Sequence, residues 1–218
     1  MNKVWVVIPA NNEEKNIANV VEKSKKFSEN VVVVDDGSYD KTSDIAERKG
    51  ADVLKHIVNL GKGAALKTGC DYVLKKGAEK IVVLDADGQH DPKEIPNFLK
   101  ALEKADIAFG QRKLNKNMPF VFRIGNWMIF RITKLLYKMN VFDTQCGYRA
   151  FTTDAYKKIR WHAVNYSMES EMIANAGKHK LKYAQVPIDT IYADKYKGTT
   201  FIDGLKIVMN MVWWKIIR

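Results

Sequence analysis

The stretch IVVLDADGQHDP, residues 81–92, decides the fold. Its four apolar residues predict a buried strand, and the polar residues that follow predict the loop where that strand ends. Ligands of open α/β sheets bind beyond the carboxyl ends of strands, so chemistry is expected in this loop. Asp85 and Asp87 are two positions apart and point the same way in an extended chain, so they can share one cation or divide between a ligand hydroxyl and a metal. The alternative is an acidic surface turn.

The residues on either side of this stretch alternate between strand and helix patterns. We predict strands over 4–8, 31–34, 52–56 and 81–84, helices over 13–26, 41–49 and 62–76, a helix opened by Pro92, and a late strand over 181–188. This succession predicts an α/β fold with a mostly parallel, Rossmann-like central sheet flanked by helices. The polar clusters after the first, second and fourth strands should therefore converge at one edge of the sheet.

Composition limits the classes of protein that the chain can belong to. Its 218 residues are 46% hydrophobic, enough for one large globular domain. Its formal net charge of +11 favours an anionic binding partner. The two cysteines have neither metal-site nor disulfide spacing. We see no signal peptide and no apolar run long enough to span a membrane, so a cytoplasmic setting is expected.

Two further clusters have a plausible ligand-binding chemistry. Asp35 and Asp36 stand at a tight turn, where they can accept hydrogen bonds from a base N–H or from ribose hydroxyls, although capping of the next helix explains one carboxylate. The sequence NLGKG, residues 59–63, places two glycines around Lys62 at a helix start. That pattern suits the close approach of a diphosphate to backbone N–H groups and an ammonium; a simple glycine turn is the alternative.

The second half of the chain supplies the positive charge. No acidic residue occurs from 111 to 140, and on a helix the basic side chains Arg123, Arg131, Lys134 and Lys138 share one face beside an apolar face, with Trp127 and Phe130 near the boundary. A basic amphipathic helix of this kind suits an anionic lipid surface. The alternative is a core-facing helix with a solvated cationic side.

Five motifs together resemble the family 2 glycosyltransferases with the GT-A fold, and within them the polyprenyl-phosphate (dolichyl-phosphate) glucosyl- and mannosyltransferases. The motifs are VIPANNEE (7–14), VVDDGS (33–38), NLGKG (59–63), DADGQH (85–90) and DTQCGYRAF (143–151). The resemblance covers nearly the whole chain and thins after residue 189. It implies a GT-A domain over 1–200, with a nucleotide-binding half (1–110) and an acceptor half (111–200). The largely apolar residues 201–218, with tryptophans beside basic residues near the end, predict an amphipathic helix after this domain.

The resemblance also implies roles for individual residues. Those that would bind the nucleotide-sugar are Pro9, Asn11, Glu13, Asp35, Asp36, Lys62, Asp85, Ala86 and Lys195. Two of these depart from the family pattern: Asn11 replaces the usual aromatic residue, and Lys195 replaces an arginine, which keeps the charge but loses the planar fork. Asp87 and Gln89 would bind Mg²⁺ or Mn²⁺, a hard cation that neutralises the departing diphosphate.

The acceptor side is assigned in the same way. Arg112 and Arg123 would grip the phosphate of the lipid, and Asp143 and Arg149 would help to build the acceptor side, unless they form a structural Asp–Arg pair. Ser167 is expected to cap a helix from residue 168, with Glu171 pointing towards the site and Glu169 interacting with the helix dipole.

The predicted function is an inverting, metal-dependent transfer of a glycosyl group from a nucleotide-diphospho-sugar to polyprenyl phosphate at the cytoplasmic face of the membrane. A UDP-sugar is favoured over GDP-mannose, because residues 143–147 look more like the glucosyl branch. A polysaccharide or glycolipid acceptor is the alternative. Clustering of the charge beside aromatic residues argues against nucleic acid as the partner. Residues 201–218 could lie on the membrane, dock on the sheet, or form a contact between two copies of the chain.

Overall fold

The computed structural model describes residues 3–112, 120–165, 167–189, 209–211 and 213–215, and for residues 120–126 and 128 it describes the backbone. Seven strands form one sheet in the order β3-β2-β1-β4-β6-β5-β7. The strands are β1 (Val4–Ala10), β2 (Asn30–Asp35), β3 (Asp52–Lys55), β4 (Lys80–Val83), β5 (Ile107–Arg112), β6 (Arg149–Thr152) and β7 (Tyr183–Ile188). All pairings are parallel except those of β6, which runs antiparallel to both β4 and β5.

Among the residues from 3 to 189 that are described, seven α-helices flank this sheet. They are α1 (Ile17–Lys25), α2 (Thr42–Arg48), α3 (Lys62–Lys75), α4 (Ile95–Ala101), α5 (Phe120–Tyr137), α6 (Thr153–Ile159) and α7 (Met168–Lys178), with one turn of 3-10 helix over Pro92–Glu94 before α4. The predicted strands and helices of the first half are therefore confirmed, with small shifts at their ends. The sequence reasoning assigned no strand to β5 or β6.

Each face of the sheet has its own apolar core, as the alternation of side chains along a strand requires. In β1, Val6 and Ile8 pack on the face covered by α1, α2 and α4, whereas Val7 packs on the face covered by α3, α5, α6 and α7. All three are fully buried. A sheet covered on both faces leaves its edges and strand ends for chemistry.

The sheet has a topological switch point between β1 and β4, where successive strands change from one side of β1 to the other. From β1 the chain builds outward to β2 and β3 on one side, and it then returns to place β4 on the other side of β1. Such a switch point opens a crevice at the carboxyl ends of the strands. The loops after β1, β2 and β4 all leave the sheet at this edge.

Two details of the second half differ from the sequence expectations. Helix α5 ends at Tyr137, and Lys138 has a positive φ of 56°, so Lys138 lies beyond the helix on which it was expected. Of the expected helix over 201–218, only residues 209–211 and 213–215 are described, and these are helical. Within the described parts of the chain, no helix is both long and apolar enough to cross a membrane.

Candidate active site

The loops after β1 and β2 are joined by hydrogen bonds at the carboxyl edge of the sheet. The side-chain amide of Asn11 donates to the backbone carbonyl of Asp36 at 2.8 Å, and the backbone N–H of Glu13 donates to the Thr42 hydroxyl at 2.8 Å. Pro9 is buried within β1. The convergence predicted from the succession of strands is therefore found for the clusters after β1 and β2.

Asp36 organises a third loop. One of its carboxylate oxygens accepts from the ring of His56 at 2.7 Å and from the N–H of Leu60 at 3.0 Å, and the other accepts from the N–H of Gly61 at 2.8 Å. Asp35 accepts from the N–H of Ser38 and from the Ser43 hydroxyl, and it has no exposed surface. Both carboxylates therefore order loops around the crevice, and Asp35 offers a ligand no accessible face.

The centre of the site is an ion-paired group of three side chains from three elements. The Lys62 ammonium, at the start of α3, lies 2.6 Å from Asp85 after β4 and 3.1 Å from Glu169 in the first turn of α7. Burial acts to lower the pKa of Lys62, but the two carboxylates outweigh it and raise the pKa above its ordinary value. Burial acts to raise the pKa of Asp85, but the charges of Lys62 and His90 hold it below its ordinary value. Both groups are therefore charged at neutral pH.

Gly147 closes this ion-paired group on a further side. A Cβ atom at this position would lie 2.6 Å from an oxygen of Asp85 and 2.8 Å from the nitrogen of Lys62, closer than side chains tolerate. The motif DTQCGYRAF therefore carries a glycine because a charged pair occupies the space that a side chain would need.

Asp87 differs from Asp85 in its electrostatics. Its Oδ1 accepts from the N–H of Gln89 at 3.0 Å. Burial, followed by the negative charge of Asp85, raises the pKa of Asp87 above its ordinary value. A carboxylate in this position gains from a neighbouring cation. Ala86, between the two acids, has a buried side chain, so its contribution to ligand binding would come from its backbone.

The donor set around Asp87 fits a divalent metal that is shared with a substrate. Within the described ranges, no group of three or more His, Cys, Asp and Glu side chains is gathered into a metal site built from protein alone. Mg²⁺ is commonly held by one or two carboxylates together with substrate phosphates and water rather than by an all-protein cage. Asp87, whose carboxylate already accepts from the backbone N–H of Gln89, offers that kind of partial site.

Of the two interpretations of the NLGKG glycines, the packing in the structure favours the glycine turn. The backbone N–H groups of Gly63 and Ala64 donate to the carbonyl of Val164, at 2.8 and 3.4 Å. A Cβ at Gly61 or Gly63 would lie 2.5 or 2.3 Å from carbonyl oxygens of residues 163–164. The interpretation of these glycines as a diphosphate cradle is therefore wrong, because another backbone segment occupies the start of α3. Lys62 itself does face the site.

On the acceptor side, Arg112 and Asp143 form a two-pronged ion pair. The guanidinium donates from Nε to Oδ2 at 2.7 Å and from Nη2 to Oδ1 at 2.8 Å, and the backbone N–H of Arg112 also donates to Asp143. Asp143 therefore pairs with Arg112 and not with Arg149. The guanidinium of Arg149 is buried and donates to the backbone carbonyls of Thr144, Cys146 and Glu169. Arg149 thus joins the loop before β6 to the first turn of α7, and its buried guanidinium has no surface for a substrate.

Three expectations for residues near α7 also change. Ser167 precedes the helix, but its side chain makes no capping hydrogen bond. Glu171 accepts from the N–H groups of His162 and Ala163 instead of facing the site. Glu169, expected only to interact with the helix dipole, contacts Lys62 from the first turn of α7. Arg123 lies in α5 by its backbone while its side chain is outside the described residues, and Lys195 lies outside them altogether.

One outer face carries exposed apolar and basic side chains together. On α5, Leu135 is 79% exposed and Arg131 lies 5.5 Å from the centre of the exposed Trp127 ring. Residues 209–211 and 213–215 pack on α5 through Met211, whose carbonyl accepts from the Tyr137 hydroxyl at 2.6 Å. The same segment leaves further apolar side chains exposed, those of Met209 and Trp213. We call this exposed surface of α5 and residues 209–215 the α5 face.

Comparison with known proteins identifies the class. A family model described as glycosyl transferase family 2 matches residues 5–160. The chain therefore belongs to the family 2 glycosyltransferases, and it is a glycosyltransferase with the GT-A fold, as predicted.

Individual relatives agree with this class. A UDP-N-acetylglucosamine–dolichyl-phosphate N-acetylglucosaminyltransferase of Methanococcus voltae is 34% identical over 98% of this chain and 96% of its own. A polyprenol monophosphomannose synthase of Mycolicibacterium smegmatis is 29% identical over 94% of this chain and 83% of its own. The crystal structure of glucosyl-3-phosphoglycerate synthase from Mycobacterium tuberculosis is similar with a TM-score of 0.79 at 18% identity, over 99% of this chain and 80% of that one, a likeness of fold.

Proposed function

We propose that this chain transfers a hexosyl group from a UDP-sugar to a polyprenyl phosphate, with inversion at the anomeric carbon and with Mg²⁺ or Mn²⁺ bound. The observation that carries the proposal is the pair Asp85 and Asp87 at the switch point of the sheet. Asp85 is paired with Lys62, whereas the raised pKa of Asp87 shows that a bound cation would stabilise its charged form. Relatives named for transfer to dolichyl or polyprenol phosphate support the acceptor. A relative named for a UDP-sugar supports the donor.

In this proposal the nucleotide lies in the crevice between the loops after β1, β2 and β4. Asp85 accepts hydrogen bonds from the ribose, and it can do so because its pKa stays low and its carboxylate stays charged. Asp36, Asn11 and Glu13 shape the walls of the base site through the bonds between their loops. Asp87 and Gln89 would hold the metal, which supplies positive charge to the diphosphate as it leaves.

The acceptor side needs little acid–base chemistry. A phosphate monoester is already an anion at neutral pH, so its oxygen can attack without a strong general base, and the protein has to hold it in line with the departing group. Arg112 is the described cation best placed for this task, because Asp143 fixes its guanidinium in a two-pronged pair. Arg123 and Lys195 are proposed to assist on the basis of the family resemblance alone.

The α5 face is proposed to rest on the cytoplasmic surface of a membrane, where a polyprenyl phosphate is available. Exposed tryptophans beside basic residues, here Trp127 with Arg131 and Trp213 with Lys215, are typical of the interfacial region of a bilayer. Anionic lipids would add electrostatic attraction for this basic protein.

A transfer assay tests the proposal directly. The purified protein is incubated with a polyprenyl phosphate in detergent and with radiolabelled UDP-N-acetylglucosamine, UDP-glucose or GDP-mannose, each with Mn²⁺ or with EDTA. We expect label to enter the organic phase from one UDP-sugar and only with the metal. Transfer from GDP-mannose alone would overturn the choice of base, and absence of transfer from all three donors would overturn the choice of acceptor if the donors still bind.

A further inference from the structure

The three members of the ion-paired group differ in how far a ligand can reach them. Lys62 and Asp85 keep 17% and 24% of their side-chain surface exposed, whereas Glu169 keeps 2%. A ligand in the crevice can therefore contact the first two but not the third. Lys62 is the neighbour in this group through which Glu169 can act on a ligand.

We propose that Glu169 is a positioning residue of the donor site, which holds the Lys62 ammonium and through it fixes the Asp85 carboxylate for the nucleotide. This inference rests on the proposed function, because it takes Asp85 as a nucleotide contact. The geometry behind it is the placement of one ammonium between two carboxylates, at 2.6 and 3.1 Å, with Gly147 packed against the ammonium and Asp85.

Charge balance explains why a second acid matters. One ammonium between two carboxylates leaves the group with a net negative charge, so Lys62 does not neutralise Asp85 completely. Asp85 then keeps its strength as a hydrogen-bond acceptor while its orientation is fixed. With a neutral residue in place of Glu169, the Lys62 ammonium would form its ion pair with Asp85 alone. It would then compete with ligand hydroxyls for the carboxylate oxygens of Asp85.

A purely structural role explains Glu169 poorly. Its Oε2 atom is buried and has no hydrogen-bond partner among the residues that the structure describes. Burying a charged oxygen without a partner costs stability, and the N-terminal turn of α7 offsets only part of that cost. A buried ion pair is often replaced by apolar residues with no loss of stability. The cost is understandable if the acid serves the position of Lys62.

The test is a double-mutant cycle read out as UDP binding in the presence of Mn²⁺ by calorimetry. We expect Glu169→Gln to weaken UDP binding about tenfold, a usual size for coupling between neighbouring charged groups. In a Lys62→Met background the same change should alter the dissociation constant by less than about twofold, the limit for independent sites. Glu169→Asp, which keeps the negative charge in α7 but withdraws it from Lys62, is the second variant and should weaken binding by a similar factor.

Glu171→Gln is the matched control. Glu171 lies two residues further along α7 and is equally buried, but its carboxylate accepts from the backbone of residues 162 and 163. We expect this variant to lower the melting temperature and to leave UDP affinity within about twofold, because the described hydrogen bonds of Glu171 go to the backbone of residues 162 and 163.

The outcomes separate the two proposals. If the unmodified protein binds neither UDP nor a UDP-sugar, the proposed function fails and the role of Glu169 falls with it. If it binds UDP and both Glu169 variants bind equally well, only the positioning role is refuted. Equal weakening by Glu169→Gln in the presence and absence of the Lys62 ammonium would also refute it, since Glu169 would then act independently of Lys62.

Discussion

Replacement of Gly147 by alanine should separate activity from stability. The added Cβ would lie 2.6 Å from Oδ2 of Asp85, and an ordinary van der Waals contact begins at 3.4 Å, so the carboxylate must retreat by about 0.8 Å. Misplacement of a site group by about 1 Å can cost on the order of a hundredfold in rate. The atoms that must move are ends of flexible side chains, so the cost in folding free energy should be near the lower end of overpacking, about 1 kcal/mol.

The assay for this prediction measures kcat/KM for the donor together with the melting temperature. Gly69→Ala is the control, because its Cβ would be as crowded, 2.5 Å from Val7 and 2.9 Å from Val34, but in the apolar core. That variant should lose about 1–3 kcal/mol of stability and keep its kcat/KM while folded. A Gly147→Ala protein with kcat/KM within twofold of the parent would refute the reasoning that Asp85 needs its present position.

Three further predictions follow from the site and from one surface ion pair. Asp87→Asn should abolish transfer and make UDP affinity independent of Mn²⁺, as calorimetry with and without the metal will show. Asp143→Asn should raise the KM for polyprenyl phosphate by about tenfold and leave the donor KM unchanged, because Arg112 loses a charge-assisted pair. Burial acts to raise the pKa of Asp71, but hydrogen bonds from Arg160 and Tyr156 hold it below 3.8. This pair therefore stabilises the fold above pH 3.8 and is lost as the pH falls through the lowered pKa, so the difference in melting temperature between the parent and Asp71→Asn should shrink in acid.

Much of the fold could be predicted because its first half obeys local rules. Buried strands of parallel sheets appear as continuous apolar runs, and 31–34 and 81–84 are such runs. β6, Arg149–Thr152, is short and opens with a charged residue. It becomes a strand because β4 and β5 pair with it from both sides. These pairings join residues about 40 to 70 positions apart, so the local sequence pattern of β6 does not predict a strand.

The candidate site was predictable where a motif sits directly at a strand end. Asp85, Asp87 and Lys62 meet at the expected edge, because the end of a strand or the start of a helix fixes the direction of the chain there. The choice between Glu169 and Glu171 was wrong for a physical reason. Two acids two positions apart on a helix are separated by a rotation of about 200° around the helix axis, so they lie on nearly opposite sides. Which of them faces the site depends on how the helix is rotated against the sheet.

The glycines of NLGKG illustrate a second limit. A glycine shows that some neighbour comes close, but not which one, and here the neighbour is the backbone of residues 163–164 rather than a ligand. Arg149 shows the same limit for charge. Its position in a motif suggested substrate binding, whereas its three donors serve backbone carbonyls within the core.

The insertion of β6 between β4 and β5 bears on how the chain acquires its structure. The expected nucleotide-binding half, 1–110, contains β4 and most of β5, but the strand that joins them comes from residues 149–152. The backbone N–H groups at the start of α3 likewise find their hydrogen-bond acceptor, the carbonyl of Val164, much later in the sequence. A chain cut after residue 110 would leave one edge of β4 unpaired and β5 without either of its neighbours, and unpaired strand edges are templates for aggregation. During synthesis the crevice at the carboxyl ends of the strands is therefore completed only after the segment around residue 164 has emerged, because pairings between residues far apart in sequence form slowly.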